Sequence, residues 1–230
     1  MGEIVSFASN SHGASGYLAT APGGSGPGVI LIQEYWGLVP HIVDVAERLA
    51  AEGFTVLAPD LYHGQTTAEP DEAGKMMMAM NMATAGHDMG GAIDHLLSLD
   101  SVTRDQVGVM GFCMGGGLAL VLACQRPEAV GAVVPFYGLI PWPDAQPDYS
   151  RLDAPVLGHY AGDDGFFTPE LVDALQSQLD GLGKQADLEV YPGVDHAFFN
   201  DTRPEVYDAE ASARAWVQTV GFLHANLDLD

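Results

Sequence analysis

The sequence predicts an α/β fold, a mostly parallel twisted sheet flanked by helices, and three observations carry that prediction. Short apolar runs bounded by turn residues alternate with amphipathic helical stretches along nearly the whole chain. Several runs, such as those at 28–32 and 54–58, are apolar without alternation, as a strand buried on both faces requires. The pattern Gly111-Phe112-Cys113-Met114-Gly115 joins one apolar run to a small-residue apolar stretch, which reads as a strand, a sharp turn and a helix. The chain of 230 residues suits one domain spanning 1–230, with no linker, internal repeat or low-complexity tail.

The elements follow in order. Segments 4–7 and 16–20 are strand-like and together read as an N-terminal hairpin. A Gly/Pro loop at 22–27 leads into the buried strand 28–32. Residues 40–52 read as a helix with Ile42, Val45, Ala46 and Leu49 on one face, ended by Gly53. The strand at 54–58 stops at Pro59, and a polar loop from Asp60 leads to the cluster Met76, Met77, Met78, Met80 and Met82. A helix at about 86–99 carries Met89, Ile93, Leu96 and Leu97. Then come a strand at 106–111, the cysteine turn, and a helix to about 125. A strand at 130–136, a proline-rich loop from Pro141 through Pro147, a strand at 155–160 and a helix at 168–181 follow. Segment 186–191 alternates polar and apolar residues, like a strand near the sheet edge, and a helix at about 204–225 closes the chain.

Composition excludes several functions. Lys and Arg number 8 against 31 Asp and Glu, a formal net charge of −23, so the surface repels nucleic acid. Such acidity also suits high salt, which screens self-repulsion. No apolar run reaches the length of a membrane span and no secretory leader is visible, so no membrane association is expected. The two cysteines, Cys113 and Cys124, would lie roughly 16 Å apart along one helix, too far to pair. Free thiols fit a reducing compartment, and a cytoplasmic location is expected. The His and Asp residues show no tight ligand spacing, so neither metal nor cofactor is expected. Nothing in the chain decides between a monomer and a small homo-oligomer.

Ligands of open parallel sheets bind beyond the carboxyl ends of the strands. Glu34, Cys113, Asp164 and His196 each follow a strand there. Cys113, on a tight turn at a helix N-terminus, is placed as a nucleophile, because free N–H groups favour a thiolate and can hold an oxyanion. The same turn also suits a buried structural cysteine. His196 titrates near neutrality in its ordinary state, as a general base needs.

Four motifs taken together, Gln33-Glu34-Tyr35-Trp36-Gly37, Gly111-Phe112-Cys113-Met114-Gly115-Gly116, Gly162-Asp163-Asp164 and Gly193-Val194-Asp195-His196-Ala197-Phe198, resemble the dienelactone hydrolase family. The resemblance covers nearly the whole chain. It implies the α/β-hydrolase fold without a large lid domain, and cleavage of esters or lactones by a cysteine–acid–histidine triad through an acyl-enzyme. It makes Cys113 the nucleophile, His196 the base, and Asp164 the acid, since Asp164-Gly165-Phe166 fits the family pattern better than its competitor Asp163. The backbone N–H groups of Tyr35 and Met114 would form the oxyanion hole, and Glu34 would contact the resting thiol. Family members specific for dienelactones bind the substrate carboxylate with two arginines. Here residues 61–98 hold only Lys75, and Asn200 stands four residues beyond the histidine. Small neutral esters are therefore expected to outperform anionic dienelactones, with Trp36, Met78, Phe198, Phe199 and Asn200 as candidate substrate contacts. The rival is a non-catalytic or redox-sensing relative in which Cys113 is only a reactive thiol.

Overall fold

Every apolar run read as a strand joins one eight-stranded sheet. The structure, a computed structural model, describes residues 2–9, 12–141 and 146–227. The strands are β1 (Glu3–Ser9), β2 (His12–Ala19), β3 (Gly26–Ile32), β4 (Thr55–Pro59), β5 (Val102–Phe112), β6 (Val130–Phe136), β7 (Val156–Ala161) and β8 (Ala186–Tyr191). They lie in the order β1-β2-β4-β3-β5-β6-β7-β8. The β1–β2 hairpin and its contact with β4 are antiparallel, and the pairings from β4 through β8 are parallel. β8 is the edge strand its alternating pattern implied.

The helices are α1 (Pro40–Ala51), α2 (Pro70–Ala79), α3 (Met82–Leu97), α4 (Met114–Gln125), α5 (Pro169–Gly181) and α6 (Ala209–Leu227). They divide between the two faces, and the pleat of the sheet does the sorting. Ile30, Ile32, Val107 and Val109 pack with residues of α3, α4 and α5, while Val29, Leu31, Met110 and Phe112 pack with α1 and α6. α4 is buried along its whole length from Met114 to Cys124, as a helix apolar all round must be.

Several boundaries differ from expectation, among them the start of β2 at His12 rather than 16. Segment 70–79, where the polar loop was expected to run into the methionine cluster, is the helix α2, begun by Pro70 with Asp71 and Glu72 in its first turn. α3 starts at Met82, because the Asn81 side chain accepts from the N–H groups of Ala83 and Thr84. α6 starts at Ala209 rather than 204, where the Asp208 carboxylate accepts from Ala211 N–H at 2.8 Å. β5 begins at Val102, before the apolar run, because its first residues pair only at the sheet margin, Val102 beside Gly26. Residues 142–145 of the expected proline-rich loop lie outside the described residues.

Candidate active site

The parallel strands end together at one rim, and the reactive side chains stand just beyond it. Cys113 sits between the end of β5 and the first residue of α4 with φ +52° and ψ −118°, a strained conformation for an L-residue. Close backbone packing enforces it. A Cβ at Gly115 would lie 2.4 Å from the Ile32 carbonyl oxygen, and one at Gly138 would lie 1.9 Å from that of Cys113. The turn is thus clamped between the end of β3 and the segment after β6. The half-buried Cys113 thiol faces a large cavity at the rim, and Met114 opens α4 with its N–H pointing out of the helix end.

His196 lies in the turn after β8, and its Nδ1 is 2.7 Å from Asp164 Oδ2. The Asp164 carboxylate is fully enclosed. Its other oxygen accepts the backbone N–H groups of Phe166 at 2.7 Å and Phe167 at 3.0 Å. Asp163 is exposed, so the structure brings Asp164 rather than its neighbour to the imidazole. Burial by itself disfavours the imidazolium, but Asp164 and the Cys113 side chain outweigh it and hold the His196 pKa up to about 10. The ordinary value near neutrality does not apply to this ring.

Glu34 is 1% exposed. Asn200 Nδ2 donates to its Oε2 at 2.9 Å. Burial raises the Glu34 pKa, with His196, Asn200 and Arg203 opposing the rise. The buried hydroxyl of Tyr137 is coupled to Glu34, and its ring meets His196 edge-on at 5.1 Å between centroids. Glu34, Tyr35, Cys113, Met114 and His196 all line one cavity of about 650 Å³. Its remaining wall is largely apolar, with Met77, Met82, Leu118, Leu139 and Phe166 among the contributors. Among the described residues, no group of three or more His, Cys, Asp or Glu side chains is arranged to hold a metal ion.

The sequence profile of the Dienelactone hydrolase family matches residues 14–227. The chain belongs to the dienelactone hydrolase family. It is similar to "Protein usf" of Aquifex pyrophilus, 36% identical with 96% of this chain and 97% of the relative covered. It is also similar to "Putative carboxymethylenebutenolidase" of Aquifex aeolicus, 34% identical with 99% of this chain and 100% of the relative covered. Among solved structures, "Putative Dienelactone Hydrolase" of Klebsiella pneumoniae superposes with a TM-score of 0.85 at 26% identity, covering 96% of this chain and 98% of that one. An ester or lactone hydrolase is the activity this membership supports, on the α/β-hydrolase fold.

Within this dienelactone hydrolase family member, several expected substrate contacts fall elsewhere. Trp36 lines the cavity, but Met78 does not, and it is 67% exposed. One step along a helix rotates a side chain by about 100°, which turns Met78 off the wall that Met77 lines. Phe198 and Phe199 are buried in the core on the α6 side, against Phe136, because the positive φ of +66° at Ala197 turns the chain inward there. Asn200 is occupied too, donating to Glu34 while its Oδ1 accepts from Thr202.

A cation does stand at the site, though not at either position where the family's arginines were sought. Arg203 lines the cavity, 5.6 Å above the Trp36 ring and paired with Glu205 at 2.9 Å. Sequence reasoning missed Arg203 because it sought a cation at fixed spacing from the histidine. It missed Tyr137 because that residue follows an ordinary buried strand. The adjacent Gly138, inside an otherwise apolar segment, was the available signal. No helix of the structure, among the described residues, is long and apolar enough to cross a membrane.

Proposed function

We propose that the protein hydrolyses carboxylic esters or lactones through a thioester on Cys113. The supporting observation is the pairing of His196 with the enclosed Asp164 at 2.7 Å, on the cavity that Cys113 also lines. At rest the Cys113 thiol donates a hydrogen bond to the Glu34 carboxylate; when substrate displaces that carboxylate the thiol proton passes to His196, leaving a thiolate beside an imidazolium. The thiolate attacks the substrate carbonyl carbon, a C–S bond forms, and the π pair moves onto oxygen. The N–H groups of Met114 and Tyr35 hold that oxyanion. Its collapse breaks the C–O bond to the leaving group, and the His196 imidazolium gives its proton to the departing alkoxide. In the second half His196 takes a proton from water, the hydroxide adds to the thioester, and the C–S bond breaks to release the acid and regenerate the thiolate. Asp164 keeps the imidazole proton on Nδ1 and supports the charged ring throughout.

Neutral esters are the preferred class over anionic dienelactones. Glu34, Asp163 and Asp195 share the cavity wall with Arg203, whose charge is already answered by Glu205. A buried substrate anion without a free cationic partner is strongly disfavoured. The test is mass spectrometry of the intact protein after mixing with an activated ester such as p-nitrophenyl acetate. One acyl group should appear on Cys113, and Cys113→Ala should retain no more than a few per cent of the rate. Cys124→Ala should keep its activity, because that thiol is buried within α4 and burial pushes its pKa up to about 11. An adduct elsewhere, or an active Cys113→Ala protein, refutes the assignment and leaves Cys113 as a reactive thiol only.

A further inference from the structure

The active-site cavity is far larger than an acetyl group needs. At about 650 Å³ it falls in the range of pockets that enclose whole drug-sized ligands. Its wall away from Cys113 includes Met77, Met80 and Met82 from the α2–α3 segment. Behind that segment lies a second cavity of about 270 Å³, whose wall includes Leu61, Tyr62, Met76 and Ala85. Met80 lines both cavities, at the end of α2. Met80 is thus the residue at which the two cavities meet.

The junction sits on a weakly anchored element. Ala73 is the one fully buried residue of α2, so this helix contributes little to the core. Methionine has three rotatable bonds and a polarizable sulfur, which suits it to a wall that yields to varied apolar shapes. Polar groups of His63, Gln65, Asn81 and Thr84 bound the second cavity, which limits how far an apolar chain can extend past Met80.

We infer that the preferred substrates are neutral esters with an unbranched apolar acyl chain of medium length, and that Met80, as the residue at which the two cavities meet, sets the upper limit of that length. The inference rests on the ester-hydrolase reading above.

The test is a series of p-nitrophenyl esters from acetate to dodecanoate, each assayed below its aggregation concentration. In the wild-type protein kcat/KM should rise about two- to fourfold per added methylene up to hexanoate or octanoate, then fall. Met80→Ala should widen the junction of the two cavities and move the optimum at least two carbons longer. Met80→Trp narrows the passage and should lower the octanoate-to-acetate ratio at least tenfold. Met78→Ala, on the exposed side of α2, should leave the profile unchanged. A wild-type profile that is flat or falls from acetate onward overturns the inference. So does an unmoved optimum in Met80→Ala, a variant that removes atoms from a wall rather than crowding it, should Met80→Trp not fold. A Met78→Ala shift equal to that of Met80→Ala overturns the role given to Met80. Loss of acetate hydrolysis in the wild-type protein would instead refute the hydrolase reading itself.

Discussion

Replacing Asp164 by Asn removes one charge and keeps the shape, and the surrounding hydrogen bonds dictate how the asparagine must sit. Asp164 Oδ1 accepts two backbone N–H groups, from Phe166 and Phe167, and Oδ2 faces His196 Nδ1. Only the oxygen of an asparagine can accept those two N–H groups, so its NH2 must point at His196. The imidazole must then accept at Nδ1 and carry its proton on Nε2. In that tautomer it cannot take a proton at the nitrogen left to serve the thiol. The imidazolium also loses the first of the contacts that raise the His196 pKa against burial. A wrong tautomer together with a lost counter-charge predicts a fall of roughly 10³- to 10⁴-fold in kcat, about 4–5 kcal/mol of transition-state stabilisation. Asp163→Asn, at the exposed neighbour, should stay within about twofold of wild type. Both variants are to be assayed on one neutral ester at fixed ionic strength, with thermal melts to show that each is folded. An Asp164→Asn protein within tenfold of wild type, or an Asp163→Asn protein that is the slower of the two, would refute the reasoning.

Three further outcomes are expected. The folded-state pKa of His196, about 10, lies above the ordinary imidazole value, so the charged ring persists through neutral pH and its charge is lost as pH passes 10. A pH–rate profile corrected for hydroxide background should show its falling limb there, and a rate still climbing beyond pH 10 would contradict the assignment. A neutral ester should exceed an anionic dienelactone in kcat/KM by at least about tenfold, since a buried charge left unpaired is costly. The reverse order, abolished by Arg203→Gln, would show that Arg203 binds the substrate anion despite its pairing with Glu205. With a net charge of −23, raising KCl from 0.1 to 2 M should raise the melting midpoint by several degrees, because the screening length falls from about 10 Å to under 3 Å. A midpoint that is unchanged or lower would remove the electrostatic explanation.

Part of the site was legible in the amino-acid sequence. The cysteine turn is encoded locally, since glycines at 111 and 115 answer a steric demand within a few residues of Cys113. Asp164 and His196 were legible as strand-end residues, because a parallel sheet delivers all such ends to one rim. The contacts of Glu34 were not. Its donor Asn200 is 166 residues away in the chain, and Tyr137 and Arg203 reach it from two other segments. The same limit explains Phe198 and Phe199. Adjacency to His196 suggested a pocket wall, but the turn at Ala197 commits them to the aromatic core with Phe136.

By itself the sequence determined the α/β order, the parallel core strands, the strained thiol and the acidic surface. Each of these follows from composition or from spacing over a few residues, where sterics and hydrophobic periodicity act. The motif after β7 already favoured Asp164 over Asp163, and the structure seats it against His196; the tertiary structure alone decided that Asn200 serves Glu34, that Arg203 enters the cavity and that Met80 lines both cavities. Those facts depend on which face of each turn points inward once the sheet is assembled. That choice is made by packing between segments distant in the chain, which no local pattern records.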